Sequence, residues 1–127
     1  MKKIFTFAIT VLAMVTITSC NKKTYTADYL FTDKAKRLEI LADCKANKQS
    51  TENCNNANQA QAAITIQINA KRRQIQALKV KAQQLAYNRA QYPNALPTVK
   101  QHDEQQVKVI TEQINKLNND IDELEKK

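Results

Sequence analysis

Apolar positions fall into distinct regimes along the chain. From Ile4 to Ile17 they run almost without interruption behind Lys2 and Lys3. Tyr25, Tyr29, Leu30 and Phe31 then crowd a short aromatic stretch. Ala35, Leu38, Leu41 or Ala42, and Lys45 follow at helical spacing, with Thr32 or Asp33 available as N-cap, and predict one helix ending near Cys44. Between Lys45 and Asn53 no apolar side chain exceeds Ala46, so that segment reads as a loop.

Beyond Asn58 the chain is dense in helix formers. Ile64, Ile68, Ile75, Leu78, Ala82 and Leu85 recur at intervals of three, four or seven, one stripe of a helix or coiled coil. Lys71 fills the skipped position and Arg89 the next, which weakens the seam at both. Ile64, Ile66 and Ile68 alternate as a strand would, but the Ala, Gln, Lys and Arg around them outweigh so short a signal. Tyr92–Pro97 is the one proline-marked break, with Tyr92 and Leu96 pushed towards extended backbone by the prolines that follow them. Thr98 and Gln101 read as a capping box that restarts a helix. Its stripe, Val107, Ile110, Ile114, Leu117, Ile121 and Leu124, is spaced strictly three and four. Residues 98–126 would form about 43 Å of helix at about 1.5 Å per residue.

The predicted architecture is all-α. A small disulfide-bridged helical head (29–62) precedes a coiled-coil-like, antiparallel two-helix hairpin (63–127) that breaks at 92–97. Charge supports the fold-back. No Asp or Glu occurs from Asn53 to His102, a span containing Lys71, Arg72, Arg73, Lys79, Lys81, Arg89 and Lys100. From Asp103 onwards seven acids face four bases. An antiparallel hairpin brings Asp120–Glu125 to Lys71–Arg73. Exposed pairs contribute only about 0–1 kcal/mol each, so charge selects the pairing and apolar burial must stabilise it. A two-helix hairpin is marginal alone, so the tail is expected to form a homo-oligomer or pack on the head. The basic arm has no interleaved aromatics, and nucleic acid is not an expected partner. A solvated face paired with the acidic arm is the preferred reading, ahead of an anionic lipid surface or an acidic patch on a partner.

Composition then excludes most chemistry. The chain has 127 residues, a net charge of +8 and room for one small domain. It contains no Gly, which removes phosphate-cradling loops, dinucleotide fingerprints and nucleophile elbows. One histidine, His102, leaves no zinc cluster and little scope for a triad. No catalytic residue, metal or cofactor is expected, and the protein is not read as an enzyme.

The first twenty residues bear on compartment. A basic flank and a run of about fourteen apolar or uncharged residues suit an export signal, since a bilayer span needs roughly 20. The run ends Ile17-Thr18-Ser19-Cys20, which resembles the lipobox of bacterial lipoproteins. The resemblance implies cleavage of a signal peptide (1–19), acylation of Cys20 and a tether (20–28). Two or three acyl chains anchor stably where one does so marginally. A plain secretory signal and an uncleaved anchor are the alternatives. Lipidation places the protein in the envelope facing the periplasm. Asn21, Lys22 and Lys23 lack the aspartate read as inner-membrane retention, which leaves inner against outer membrane open.

With Cys20 acylated, Cys44 and Cys54 remain as an even pair in an oxidising space. Their spacing is wrong for a redox C-x-x-C site, and no histidine or third thiol is near enough in sequence to complete a zinc shell. A structural disulfide is the default, and two free thiols would fit only a cytosolic chain. The bridge should stabilise by roughly 2–3 kcal/mol in the chain-entropy model. The aromatic stretch is expected to cover it, or alternatively to form a contact patch close to the membrane.

The stretch from Thr26 to Gln59 resembles the small entry-exclusion lipoproteins of conjugative plasmids, the EexN/TrbK kind. The residues that carry the likeness are the aromatic pair Tyr29 and Phe31, the Asp43-Cys44-Lys45 helix end, and Asn53-Cys54-Asn55-Asn56-Ala57, behind the lipobox. The likeness covers residues 1–62. It implies a lipid-anchored protein that blocks redundant conjugative DNA transfer into a plasmid-bearing recipient by contact with the mating apparatus. The implied contact residues are Tyr29, Phe31, Lys45, Lys48 and Asn53. Two other functional classes stay open. One is an envelope spacer with Lys126 or Lys127 joined to the cell wall. The other is an accessory lipoprotein of a secretion apparatus that binds a partner helix through its coil.

Overall fold

The computed structural model describes residues 23–127, so the expected leader and Cys20 lie outside the described residues. Four helices follow in order: α1 (Ala27–Thr32), α2 (Lys34–Lys45), α3 (Thr51–Gln91) and α4 (Pro97–Lys126). The protein is all-helical, with the long α3 and α4 paired and the Cys44–Cys54 disulfide beside the N-terminal helices. No helix among the described residues is long and apolar enough to cross a membrane.

The segment before Cys44 contains one more helical element than its pattern predicts. Thr26 caps α1, its hydroxyl accepting the Tyr29 N–H at 3.2 Å. Asp33 then ends α1 and starts α2. Its own N–H donates to the Tyr29 carbonyl at 3.0 Å, while its carboxylate accepts the Lys36 N–H at 2.9 Å. A single residue thus makes the corner between two helices.

The buried face of α2 also differs from the expected Ala35–Leu38 stripe. Leu38 is 50% exposed, and Arg37 and Ile40 point inward instead. The disulfide gives the reason. Cys44 must face α3, and the residues three, four and seven positions before it on a helix are Leu41, Ile40 and Arg37. Leu30, Ile40, Ala57 and Ala60 form the head core, with Tyr25, Phe31, Leu41 and Cys44 packed around it.

The connection from α2 to α3 is shorter than the expected 45–53 loop. α2 ends at Lys45, and Asn47 takes the left-handed conformation at φ 55°. The Lys48 N–H donates to the Asp43 carbonyl at 2.8 Å and the Asn47 N–H to that of Cys44 at 3.1 Å. This is a Schellman stop, and Asn supplies the left-handed residue in a chain without glycine. Ser50 caps α3 by accepting the Asn53 N–H at 3.2 Å, so Cys54 sits in the opening turns of α3.

From Thr51 α3 runs 41 residues, about 61 Å at 1.5 Å per residue. It passes unbroken through position 62, so head and hairpin share one helix rather than meeting at a boundary. Ile64, Ile75, Ile110, Ile121 and Leu124 are buried between α3 and α4, with Ile68, Leu78, Leu85, Ile114 and Leu117 half-buried. Val107, expected in the seam, is 38% exposed, and no apolar side chain between it and the turn is fully buried. Lys71–Asp120 at 2.7 Å, Arg72–Glu125 at 3.1 Å and Arg89–Glu104 at 2.7 Å fix the antiparallel register. The expected capping box does not form. Leu96 is the N-cap, Pro97 occupies the first turn, and no side chain caps α4. Proline starts the helix one residue earlier, with φ preset and no N–H to satisfy.

Candidate functional site: the disulfide head

The head is built where α1, α2 and the first turns of α3 meet. The Cys44–Cys54 bridge, with Cα atoms 5.8 Å apart, joins the last turn of α2 to the first of α3. Around it the polar groups are arranged with few loose ends. Among the described residues, no buried side-chain nitrogen or oxygen lacks a hydrogen-bond partner.

Asn53 is the clearest departure from expectation. Expected on a contact surface, it is fully buried. Its Oδ1 accepts the Tyr25 N–H at 2.8 Å, and its Nδ2 donates to the Lys23 carbonyl at 2.9 Å and to Gln49 Oε1 at 3.0 Å. Asn56 Nδ2 donates to the Tyr25 carbonyl at 2.8 Å. The extended segment from Lys23 to Thr26, expected to be part of a tether, is therefore clamped to α3. Asn53 acts as an internal strap, not as a partner contact.

Arg37 is the second organising residue, and nothing in the hydrophobic pattern marks it. Only 3% exposed, it donates to the carbonyls of Leu30 at 2.8 Å and Lys127 at 3.0 Å, and through Nε to Gln61 Oε1 at 3.0 Å. One side chain of α2 thus ties the end of α1, the flank of α3 and the C-terminus of α4. Burial pushes its guanidinium pKa down, offset in part by Asp33. An arginine stays protonated regardless, so the cost of burial has to be met by these acceptors. Lys34 Nζ donates to the Glu125 carbonyl beside it. The tail accordingly packs on the head.

The exposed face carries the aromatics. The Tyr25 and Tyr29 rings stack with centroids 5.7 Å apart, and the Lys23 and Lys36 ammonium groups lie 5.4 Å and 5.6 Å from the Tyr25 ring centre. The Tyr29 hydroxyl donates to Asp33 Oδ2 at 2.7 Å. That bond raises the Tyr29 pKa, while the Lys36 N–H, and after it Tyr29, lower that of Asp33. Glu39, 2.6 Å from Lys36 Nζ, raises the lysine pKa. Tyr29, at 44% exposed, and Leu38 border a shallow depression shared with Asp33, Lys34 and Lys126.

The remaining expected contact residues separate. Lys45 and Lys48 are exposed beside the Schellman turn. Phe31 is half-buried, packs on the core and lies under the Lys127 ammonium at 5.7 Å, on the side where α4 docks. Tyr29 and Phe31 therefore do not form one patch. Two residues apart on a helix, they point roughly 160° from each other at about 100° per residue. The surface can bind through ring faces and cations. Among the described residues, no group of three or more His, Cys, Asp or Glu could hold a metal.

Sequence reasoning missed Arg37, Asn56 and Gln61. For Arg37 a signal existed, since pairing Cys44 with Cys54 fixes the inward face of α2. For the two polar residues on α3 none did. Comparison with protein-family models, curated proteins and solved structures finds no match to this chain. What fold and site define is a class only: a disulfide-headed helical hairpin with an aromatic, cation-bordered surface.

Proposed function

We propose that this protein is a lipid-anchored entry-exclusion factor, blocking redundant conjugative DNA transfer into the cell that carries it by contact with the mating apparatus. The observation that carries the reading is the disulfide-framed head. The paired cysteines, the aromatic stretch and the Asn-Cys-Asn-Asn-Ala opening of α3 are the residues of the entry-exclusion resemblance, and they fold into one unit. Its contact residues are Tyr25, Tyr29 and Leu38 on one surface, with Lys45 and Lys48 as a separate exposed pair beside the Schellman turn and Phe31 and Asn53 serving as internal supports.

Membrane attachment rests on Cys20, which lies outside the described residues. Acylation there would seat the head against the bilayer, since the clamped Lys23 is separated from residue 20 by at most about 10 Å of extended chain. A cell-wall spacer acting through Lys127 is harder to build. The hairpin returns that residue to the head, where Arg37 holds its carbonyl, and leaves the turn at 92–97 as the far end.

The test is a mating assay with the gene expressed in recipients. Uptake of the cognate plasmid should fall while uptake of an unrelated plasmid does not. Tyr29→Ala and Cys44→Ser with Cys54→Ser should restore uptake. Equal uptake of both plasmids with and without the protein would remove the reading.

A further inference from the structure

We propose that the face of α3 turned away from α4 is a docking surface for an acidic amphipathic helix of a partner protein. This surface is separate from the head.

Three of the largest exposed apolar side chains of the hairpin lie on this face: Ile66 at 65%, Val80 at 63% and Tyr87 at 60%. They belong to one strict series, Ile66, Arg73, Val80 and Tyr87, each seven residues after the last. A second series of sevens, Ala63, Ala70 and Ala77, interleaves with it at intervals of three and four. Ile66 stands two residues from both Ile64 and Ile68, which places it about 160° from the seam at roughly 100° per residue. α3 therefore carries two heptad stripes on nearly opposite faces, and α4 covers only one of them. The Ile66, Val80 and Tyr87 line is the uncovered part; the alanines flank it, Ala63 and Ala70 half-buried and Ala77 bordering the α3–α4 groove with Leu117 and Asp120, so a partner's large side chains would seat beside the exposed line on that flank.

Charge selects the occupant. Between Glu52 and Asp103 the chain has no acid, and Arg73 sits within the stripe with Lys81 nearby. A second copy presenting its own α3 would oppose like charges along the contact. A second copy's α4 has no matching stripe: Val109, 51% exposed, stands alone, with Lys116 and Glu123 at the next two positions of its sevenfold series and Glu112 and Asn119 beside them. An anionic bilayer would meet three large apolar groups in single file interrupted by Arg73, against the broad apolar face of an interfacial helix. A helix with Leu-type residues along one seam and Glu or Asp beside it satisfies both stripe and charge.

The experiment uses the purified protein and a synthetic four-heptad peptide with Leu at both seam positions and Glu at the flanking ones. A twin peptide carries Lys in place of Glu, and phosphatidylglycerol vesicles form a third arm. Fluorescence anisotropy should show binding of the Glu peptide that weakens with salt, with little binding of the Lys peptide. Ile66→Asn with Val80→Asn should weaken it by roughly tenfold or more, one 1.4 kcal/mol step per decade. Both sites are exposed, so helix content should hold. Arg73→Glu should lower affinity for the Glu peptide and raise it for the Lys peptide. The proposal fails if both peptides bind alike or the double variant binds as the parent does. It fails equally if the free protein is a dimer that these substitutions dissociate, or if the stripe binds vesicles and not the peptide.

Discussion

Head and hairpin solve the same problem by different means. The head is short of apolar bulk: two large aliphatics and two alanines form its buried core. It is held by directional bonds, namely one disulfide, the Arg37 fan and the Asn53 strap. The hairpin has almost the reverse economy. An aliphatic seam runs along it, with three ion pairs at the margins and little other side-chain bonding across the pair. Directional bonds specify one geometry and fail together when a member is lost, whereas a seam loosens by degrees. A rigid head on a graded stalk follows.

That contrast can be broken most severely at the disulfide. Cys44→Ser with Cys54→Ser should destabilise by about 2–5 kcal/mol. The loss should fall on the head, so in a Tyr87→Phe with Tyr92→Phe background, where only Tyr25 and Tyr29 remain, melting followed by tyrosine signal should precede that followed by helix content. A single shared transition, shifted equally in both signals, would deny the division. Arg37→Met comes next, at about 3 kcal/mol, since it leaves acceptors on α1, α3 and the C-terminus without their buried donor. Denaturant unfolding measures it, and a change below about 1 kcal/mol would contradict the role given to that residue.

The gradient within the hairpin sharpens the comparison. Ile110→Ala, at a side chain only 3% exposed, should cost about 2–4 kcal/mol. Val107→Ala, at 38% exposed, should cost less than about 1 kcal/mol because much of that side chain is already in water. Equal costs at the two sites would mean an evenly closed pair. At the Schellman stop Asn47→Gly should stabilise by about 0.5–1 kcal/mol, and Asn47→Val should destabilise by about 1–3 kcal/mol, since φ is 55° there.

Acid should touch both regions mildly. Asp33 in the head and Asp120 in the hairpin have pKa values lowered from 3.8, by the Lys36 N–H and by Lys71 respectively. A depressed carboxylate contributes stability above its unfolded value and loses it as pH falls through the folded value. Melting temperature should therefore be level down to about pH 5 and decline below about pH 4. Asp33→Asn with Asp120→Asn should flatten that decline, and a fall between pH 7 and 5 would point to other groups.

Much of the hairpin was legible because its signals are periodic and local. The α4 stripe, the proline break and the charge segregation each state the same fold-back, and the Lys71–Asp120 and Arg72–Glu125 pairs sit where charge puts them. The disulfide was legible from the even pair of cysteines left once Cys20 is set aside, together with the expectation of an oxidising compartment. The head interior was not. Asn53 reads as a polar loop residue until one sees the Tyr25 N–H and Lys23 carbonyl it serves, 28 and 30 positions away. The inward position of Arg37 follows from the disulfide, but its role does not, because the α4 C-terminus that it binds lies 90 residues later. Polar groups that satisfy distant backbone leave no period in the sequence, and in this protein they do most of the positioning. The Thr98 capping box misled for a simpler reason, since Pro97 opens the helix before threonine can cap it.

Native-state hydrogen exchange tests the head–stalk contrast most directly. The account predicts the slowest exchange at Ile40, Ala57, Ala60 and their neighbours, with protection falling along α3 and α4 towards Tyr92. Uniform protection along both long helices, or a head that exchanges faster than the turn, would contradict it.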